Sequence, residues 1–194
     1  MSAPAVPGPL VPKVFPLPQP SAGSFTTRPE RPDSAADAAA VRRILLAAFP
    51  TSEEAGLVEA LRADPAAWLD GLSLLAEAPD GTPVGQALLT RCHVDGHPAL
   101  ALAPCAVLPP YQRTGAGTAA IRAALRAARR RGENLVLVLG HPEYYPRFGF
   151  LPASRLGIRA TVDVPDDALM ALVLDAEAGP VPSGVIRYPA AFGI

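Results

Sequence analysis

Between Leu72 and Leu139 the apolar residues come in short runs, and the separators between the runs change half-way. The first two separators are Asp80-Gly81 and Asp95-Gly96, pairs that accept the positive φ angles of tight hairpin turns. Leu72–Ala78, Val84–Val94 and Ala99–Leu108 therefore read as three antiparallel strands, the third halted by Pro109 and Pro110. The next separator is itself a helix. Over Thr118–Arg131, residues Ile121, Ala124, Leu125 and Ala128 share an inner face, and Gly132 stands where a C-terminal cap belongs. Leu135–Leu139 then runs uninterrupted, the mark of a strand covered on both faces. Strand, helix and covered strand make a right-handed parallel crossover. The chain is thus expected to fold as α/β (α+β), a mixed central sheet with flanking helices.

The flanks add to this unit. Phe25-Thr26-Thr27-Arg28 has the β-branched and aromatic content of a short strand. A helix capped by Asp33 or Ser34 follows, with Val41, Ile44, Leu45, Ala48 and Phe49 on one face. Thr51 with Glu54 three residues later resembles a capping box for a second helix striped by Leu57, Val58 and Leu61. Leu169–Leu174 and Val185–Tyr188 read as two closing strands around the Pro- and Gly-rich turn at Gly179–Gly184. Residues 1–24 carry seven prolines and no apolar period, so they are expected to be a disordered tail preceding one domain over 25–194. A polyproline ligand is the alternative for that tail, but no basic-flanked PxxP core is present.

At 194 residues and 49% hydrophobic, the chain is long enough for one substantial core. A formal net charge of -1 argues against a nucleic-acid partner, and no apolar run approaches the roughly 20 residues that span a bilayer. With no signal-peptide pattern at the start, a cytoplasmic protein is expected. Cys92 and Cys105 make no disulfide framework and read as inert small hydrophobes. Arg126, Arg129, Arg130 and Arg131 read as a solvated helix face whose charge complements the C-terminal dipole.

Gln112-Arg113-Thr114-Gly115-Ala116-Gly117 occupies the junction of strand and helix. Backbone N–H groups are unpaired there and the helix dipole presents partial positive charge, so the junction is a ready anion site. Gly115 and Gly117 lack a Cβ and let an anion approach the backbone, and Arg113 adds a cation. Three readings of the loop stand side by side. One is a plain glycine turn that starts a helix. A second is a dinucleotide fingerprint, disfavoured because Leu108–Thr114 separates strand from glycine and no acidic residue ends the next strand at Gly140-His141. A nucleoside triphosphatase loop is weaker, because no Gly-Lys-Ser/Thr follows.

The third reading is a resemblance. Cys105-Ala106-Val107-Leu108-Pro109-Pro110-Tyr111-Gln112-Arg113-Thr114-Gly115-Ala116-Gly117 resembles the acetyl-coenzyme A motif of the GNAT superfamily of N-acetyltransferases. Tyr144-Tyr145-Pro146-Arg147-Phe148-Gly149-Phe150, just past the next strand, is similar to that family's aromatic signature. With Gly140-His141-Pro142-Glu143 and Ile186-Arg187-Tyr188-Pro189-Ala190-Ala191-Phe192 the likeness is to the YhbS-like branch, from about Phe25 to the end. The resemblance implies a GNAT acyltransferase fold with a parallel strand-helix-strand cofactor unit and acetyl-CoA as co-substrate. It implies backbone contacts from Cys105, Ala106 and Val107 to the pantetheine and thioester, and from Gln112, Arg113, Thr114, Gly115, Ala116, Gly117 and Thr118 to the pyrophosphate. A backbone N–H near Val107 would face the thioester oxygen. The implied reaction is direct transfer to a primary amine, small-molecule or peptide, by a monomer or homodimer, with Tyr145 protonating the leaving thiolate.

Tyr144, Phe148 and Phe150 are expected as core. No base is assigned: Ala99-Leu100-Ala101-Leu102-Ala103-Pro104-Cys105 lacks a carboxylate, which leaves His141, His93 or a water relay. The missing base keeps a non-catalytic acyl-CoA-binding module as the rival reading. The acceptor is unspecified, although Glu53, Glu54, Glu59 and Asp64 leave a cationic one open.

Overall fold

The computed structural model describes residues 25–193; the proline-rich segment 1–24 and Ile194 lie outside them, and with the segment its expectation of disorder. Strand β1 (Thr26–Pro29) forms an edge of the sheet, where a proline is tolerated. Helix α1 (Ala35–Ala48) is capped by Ser34, whose hydroxyl accepts the Asp37 N–H at 3.2 Å. Arg28 on β1 and Arg31 in the connection both grip Asp37, at 2.7 Å and 2.8 Å, so one nearly buried carboxylate ties strand to helix. Arg31 first and Arg28 second hold that carboxyl well below the usual carboxylate range.

Helix α2 (Glu53–Ala63) departs from expectation at its start. The helix begins at Glu53, so Ser52 rather than Thr51 stands at the cap, and Ser52 makes no side-chain bond there. Thr51 Oγ1 instead accepts the Glu53 N–H at 3.4 Å, and the expected Thr51–Glu54 box does not form.

β2 (Ser73–Glu77), β3 (Pro83–Val94) and β4 (His97–Val107) are the antiparallel meander that the Asp-Gly pairs predict. Helix α3 (Ala116–Arg130) starts two residues before the expected Thr118, directly after Gly115 at φ 106°, a left-handed conformation that a side chain would strain. Its end closes with Gly132 N–H to Arg129 O (3.0 Å) and Glu133 N–H to Ala128 O (3.1 Å), which satisfies two carbonyls of the last turn. β5 (Leu135–Leu139) then lies parallel to β4, as the crossover requires.

Beyond β5 the expectation is corrected. β6 (Leu151–Pro152) and β7 (Ile158–Arg159) are two-residue strands, too short to leave a periodic signal. β8 (Leu169–Val173) and β9 (Gly184–Arg187) do not close on each other: β8 pairs with β5 and β6, while β9 pairs with β7 and with the far end of β3, Arg187 opposite His93. The sheet order is β1-β2-β3-β4-β5-β8-β6.

Side chains alternate across this sheet. Leu74 and Leu89 face α3, whose small Ala120, Ala124 and Ala128 let the helix sit close, with Ile121 and Phe150 filling the same layer. Leu75 and Leu88 face the other way, under Ile44, Leu45, Val58 and Leu61 of α1 and α2. Farther along that second face, Ala101, Leu137 and Ala171 are covered by Ile158, Ile186 and half-buried Tyr188. The second face thus has two covers, the paired helices and the C-terminal segment.

Candidate active site

The site begins with a defect in pairing. Opposite Leu88, β4 spends two residues, Ala103 and Pro104, because Ala87 pairs with Cys105 and Leu89 with Leu102. Such a bulge bends its strand, and Pro104 has no N–H to give a neighbour. β4 and β5 pair only at Leu100–Val136 and Ala101–Leu137; beyond those pairs the two strands part. Backbone N–H groups in an antiparallel ladder alternate toward and away from the partner. Leu108 N–H bonds Val84 O at 2.8 Å, so Val107 N–H points away from β3, into the gap beside β5. The Val107 carbonyl points the same way and accepts Gln112 Nε2 at 3.2 Å.

A cavity of about 950 Å³ opens on the α3 side of this gap. It is bordered by Cys105 to Val107 and by the loop from Gln112 to Thr118, Ala116 excepted, whose methyl is fully buried in the core. The first helical bond of α3 runs from Ala119 N–H to Gly115 O (2.9 Å), which leaves the preceding N–H groups for a ligand. Arg113 is on the border, and so is Arg147, stacked over the Tyr144 ring at 4.5 Å. Arg147 went unassigned in the sequence, although it lies inside the aromatic motif. Phe150 is core as expected, whereas Tyr144 is only half-buried and borders the cavity.

A second cavity, about 390 Å³, lies on the opposite face between α2 and the C-terminal segment. Phe49, Glu54 and Leu57, Tyr188 and Phe192 of the C-terminal segment, and residues of β4 and β5 line it. Cys105, His141 and Tyr145 border both cavities, so the two meet through the parted strands. Exposed His141 is at that junction; His93 is not on either lining.

Tyr145 packs edge-on against Tyr144 and Phe150. Burial first, and the adjacent Cys105 thiol second, raise its phenol above the ordinary tyrosine value. Burial also pushes the Cys105 thiol up to about 12, and that of Cys92 to about 12, so neither is a thiolate nucleophile at neutral pH.

The Acetyltransferase (GNAT) family model matches residues 38–150, more than half of the chain and all of the cofactor-side geometry. This chain belongs to the GNAT acetyltransferase family. The uncharacterized N-acetyltransferase YjhQ of Escherichia coli K12 is 41% identical over 136 residues, covering 68% of this chain and 74% of YjhQ. Among solved structures, the GNAT-family N-acetyltransferase YhbS of Escherichia coli, in complex with CoA, superposes with a TM-score of 0.79 at 27% identity, over 88% of this chain and 92% of that one. A GNAT-family acetyltransferase from Brucella melitensis, in complex with acetyl-CoA, gives 0.68 at 31% identity, over 87% and 98%. The GNAT fold and the YhbS-like affinity expected from the motifs are therefore both found. No helix among the described residues is long and apolar enough to cross a membrane.

Proposed function

We propose that this GNAT enzyme transfers the acetyl group of acetyl-CoA directly to a primary amine, with Tyr145 as the general acid. The observation that carries this reading is the meeting of two cavities at Tyr145. The larger suits the donor. Its backbone anion site, Arg113 and Arg147 suit a pyrophosphate, and the parted strands offer unpaired backbone groups to a pantetheine amide. The smaller lies across the parted strands, where an acceptor would approach the same carbonyl from the far side.

The residues divide the work. Val107 N–H points into the gap and would stabilise the negative charge that grows on the thioester oxygen. Cys105, whose buried thiol stays protonated at neutral pH, is a poor acyl carrier, which favours a single direct transfer. Tyr145 remains a phenol for the same reason of burial, so its proton is available to the departing thiolate across the whole neutral range.

The test is thiol release from acetyl-CoA with a panel of amines. Tyr145→Phe should lower kcat by about 100-fold while the Kd for CoA stays unchanged. Undiminished turnover in that variant would remove the phenol from the mechanism. A protein that bound acetyl-CoA yet released thiol with no amine would be a binding module instead.

A further inference from the structure

The failure of the Thr51–Glu54 capping box leaves the Glu54 side chain free for another use. Its carboxylate borders the smaller cavity, and its Oε2 is buried with no hydrogen-bond partner among the described residues. On the same lining, the Tyr188 hydroxyl is buried and equally without a partner among the described residues. The rest of the lining is largely apolar, with Phe49, Leu57, Leu137 and Phe192 prominent, and it contains neither Lys nor Arg. A buried carboxylate oxygen with no donor is costly unless a cation reaches it. A second unpartnered oxygen on the same lining strengthens the case for a polar ligand in a largely apolar chamber.

We infer that Glu54 and Tyr188 form the acceptor subsite, and that the acceptor is a singly charged amine on an apolar or aromatic body with no carboxylate of its own. This rests on the amine-acetylation reading above. The ammonium would pair with the Glu54 carboxylate and the Tyr188 hydroxyl once those covered oxygens turn into the chamber, while the body lies against Phe49, Leu57 and Phe192. An amino acid is disfavoured, because its carboxylate would sit near Glu54 with no Lys or Arg on the lining to offset it. Glu54 also supplies the base missing from β4. It takes one proton from the ammonium, and the freed nitrogen lone pair forms the C–N bond as the C–S bond breaks. Tyr145 gives its proton to the thiolate and regains one from the acylated nitrogen. Glu54 then releases its proton to solvent, so the sum is amide, CoA thiol and one proton.

The experiment compares 2-phenylethylamine with phenylalanine on the full chain, by rates of thiol release and by calorimetric amine binding in the presence of CoA. The kcat/KM for 2-phenylethylamine should exceed that for phenylalanine by about 100-fold or more. Glu54→Gln should weaken 2-phenylethylamine binding and raise its KM by about 30-fold, with the Kd for CoA and the circular dichroism unchanged. Tyr188→Phe, a second probe of the same subsite, should give a smaller loss in the same direction. Equal use of phenylalanine, or an amine Kd indifferent to Glu54→Gln, overturns the inference. If 2-phenylethylamine binds in a Glu54-dependent way but no thiol appears, the subsite stands and the acetylation reading falls. If other amines, such as peptides, are acetylated while 2-phenylethylamine neither binds nor reacts, the converse holds.

Discussion

A Cβ placed on Gly140 would lie 2.4 Å from Cε2 of Tyr145, closer than any real contact. The close approach of the ring edge to the end of β5 is therefore conditional on the absence of that one carbon. Gly140→Ala should push the ring aside without straining the backbone, since this glycine is not in a left-handed conformation. Because displacements of about 1 Å at a reacting centre cost up to about 100-fold, kcat should fall by a comparable factor, and single-turnover kinetics would locate the loss in the chemical step. The same ring makes a prediction about pH. Its phenol is raised, so deprotonation of Tyr145 should produce no alkaline decline in kcat below the ordinary tyrosine value of about 10, and a wild-type pH profile checks it. Neither consequence is readable from the sequence, where Tyr145 is placed by motif and Gly140 enters only as the end of a strand and the first residue of the Gly140-His141-Pro142-Glu143 likeness.

At the level of elements, the joint between β1 and α1 depends on Asp37, nearly buried between Arg28 and Arg31. Asp37→Asn should cost about 2 kcal/mol, less than a fully buried pair because Arg31 remains largely in water. The folded-state carboxyl is depressed, so its contribution is complete above the unfolded value of about 4 and fades as pH falls below it. Melting temperatures of wild type and variant should therefore converge on acidification from about pH 6 to about pH 3. Elements whose signals are local were legible. Asp80-Gly81 and Asp95-Gly96 announced the meander, and Leu135–Leu139 announced the covered strand. Elements made by distant pairing were not. β6 and β7 are two residues each, and β9 joins β3 through Arg187 and His93, a register no local period encodes. Helix α2 starts one residue later than the Thr51–Glu54 spacing predicts, and Glu54 borders the second cavity instead of closing a capping box.

For the whole molecule, legibility followed the same division. The cofactor half lies within one stretch from Cys105 to Phe150 and could be read as a motif; the second cavity joins Phe49 and Glu54 to Tyr188 and Phe192, from opposite ends of the domain, and exists only once the sheet is closed. A donor that bridges the gap should stabilise the whole. At CoA about 100 times its Kd the gain is about 2.7 kcal/mol, which should raise the melting temperature by about 5–10 °C in scanning calorimetry. A shift near zero would mean that CoA does not select the folded chain.

The parting of β4 from β5 has one more effect. A strand with a free row of amides is ordinarily an invitation to aggregate, and proteins keep such rows short, charged or covered. Here the row lies inside the sheet, between β4 backed by β3 and β5 backed by β8, rather than at an outer edge where a second chain could add a strand. The enzyme can thus carry an incomplete sheet safely between turnovers, and deuterium should enter the Cys105 and Val107 amides readily until CoA fills the row.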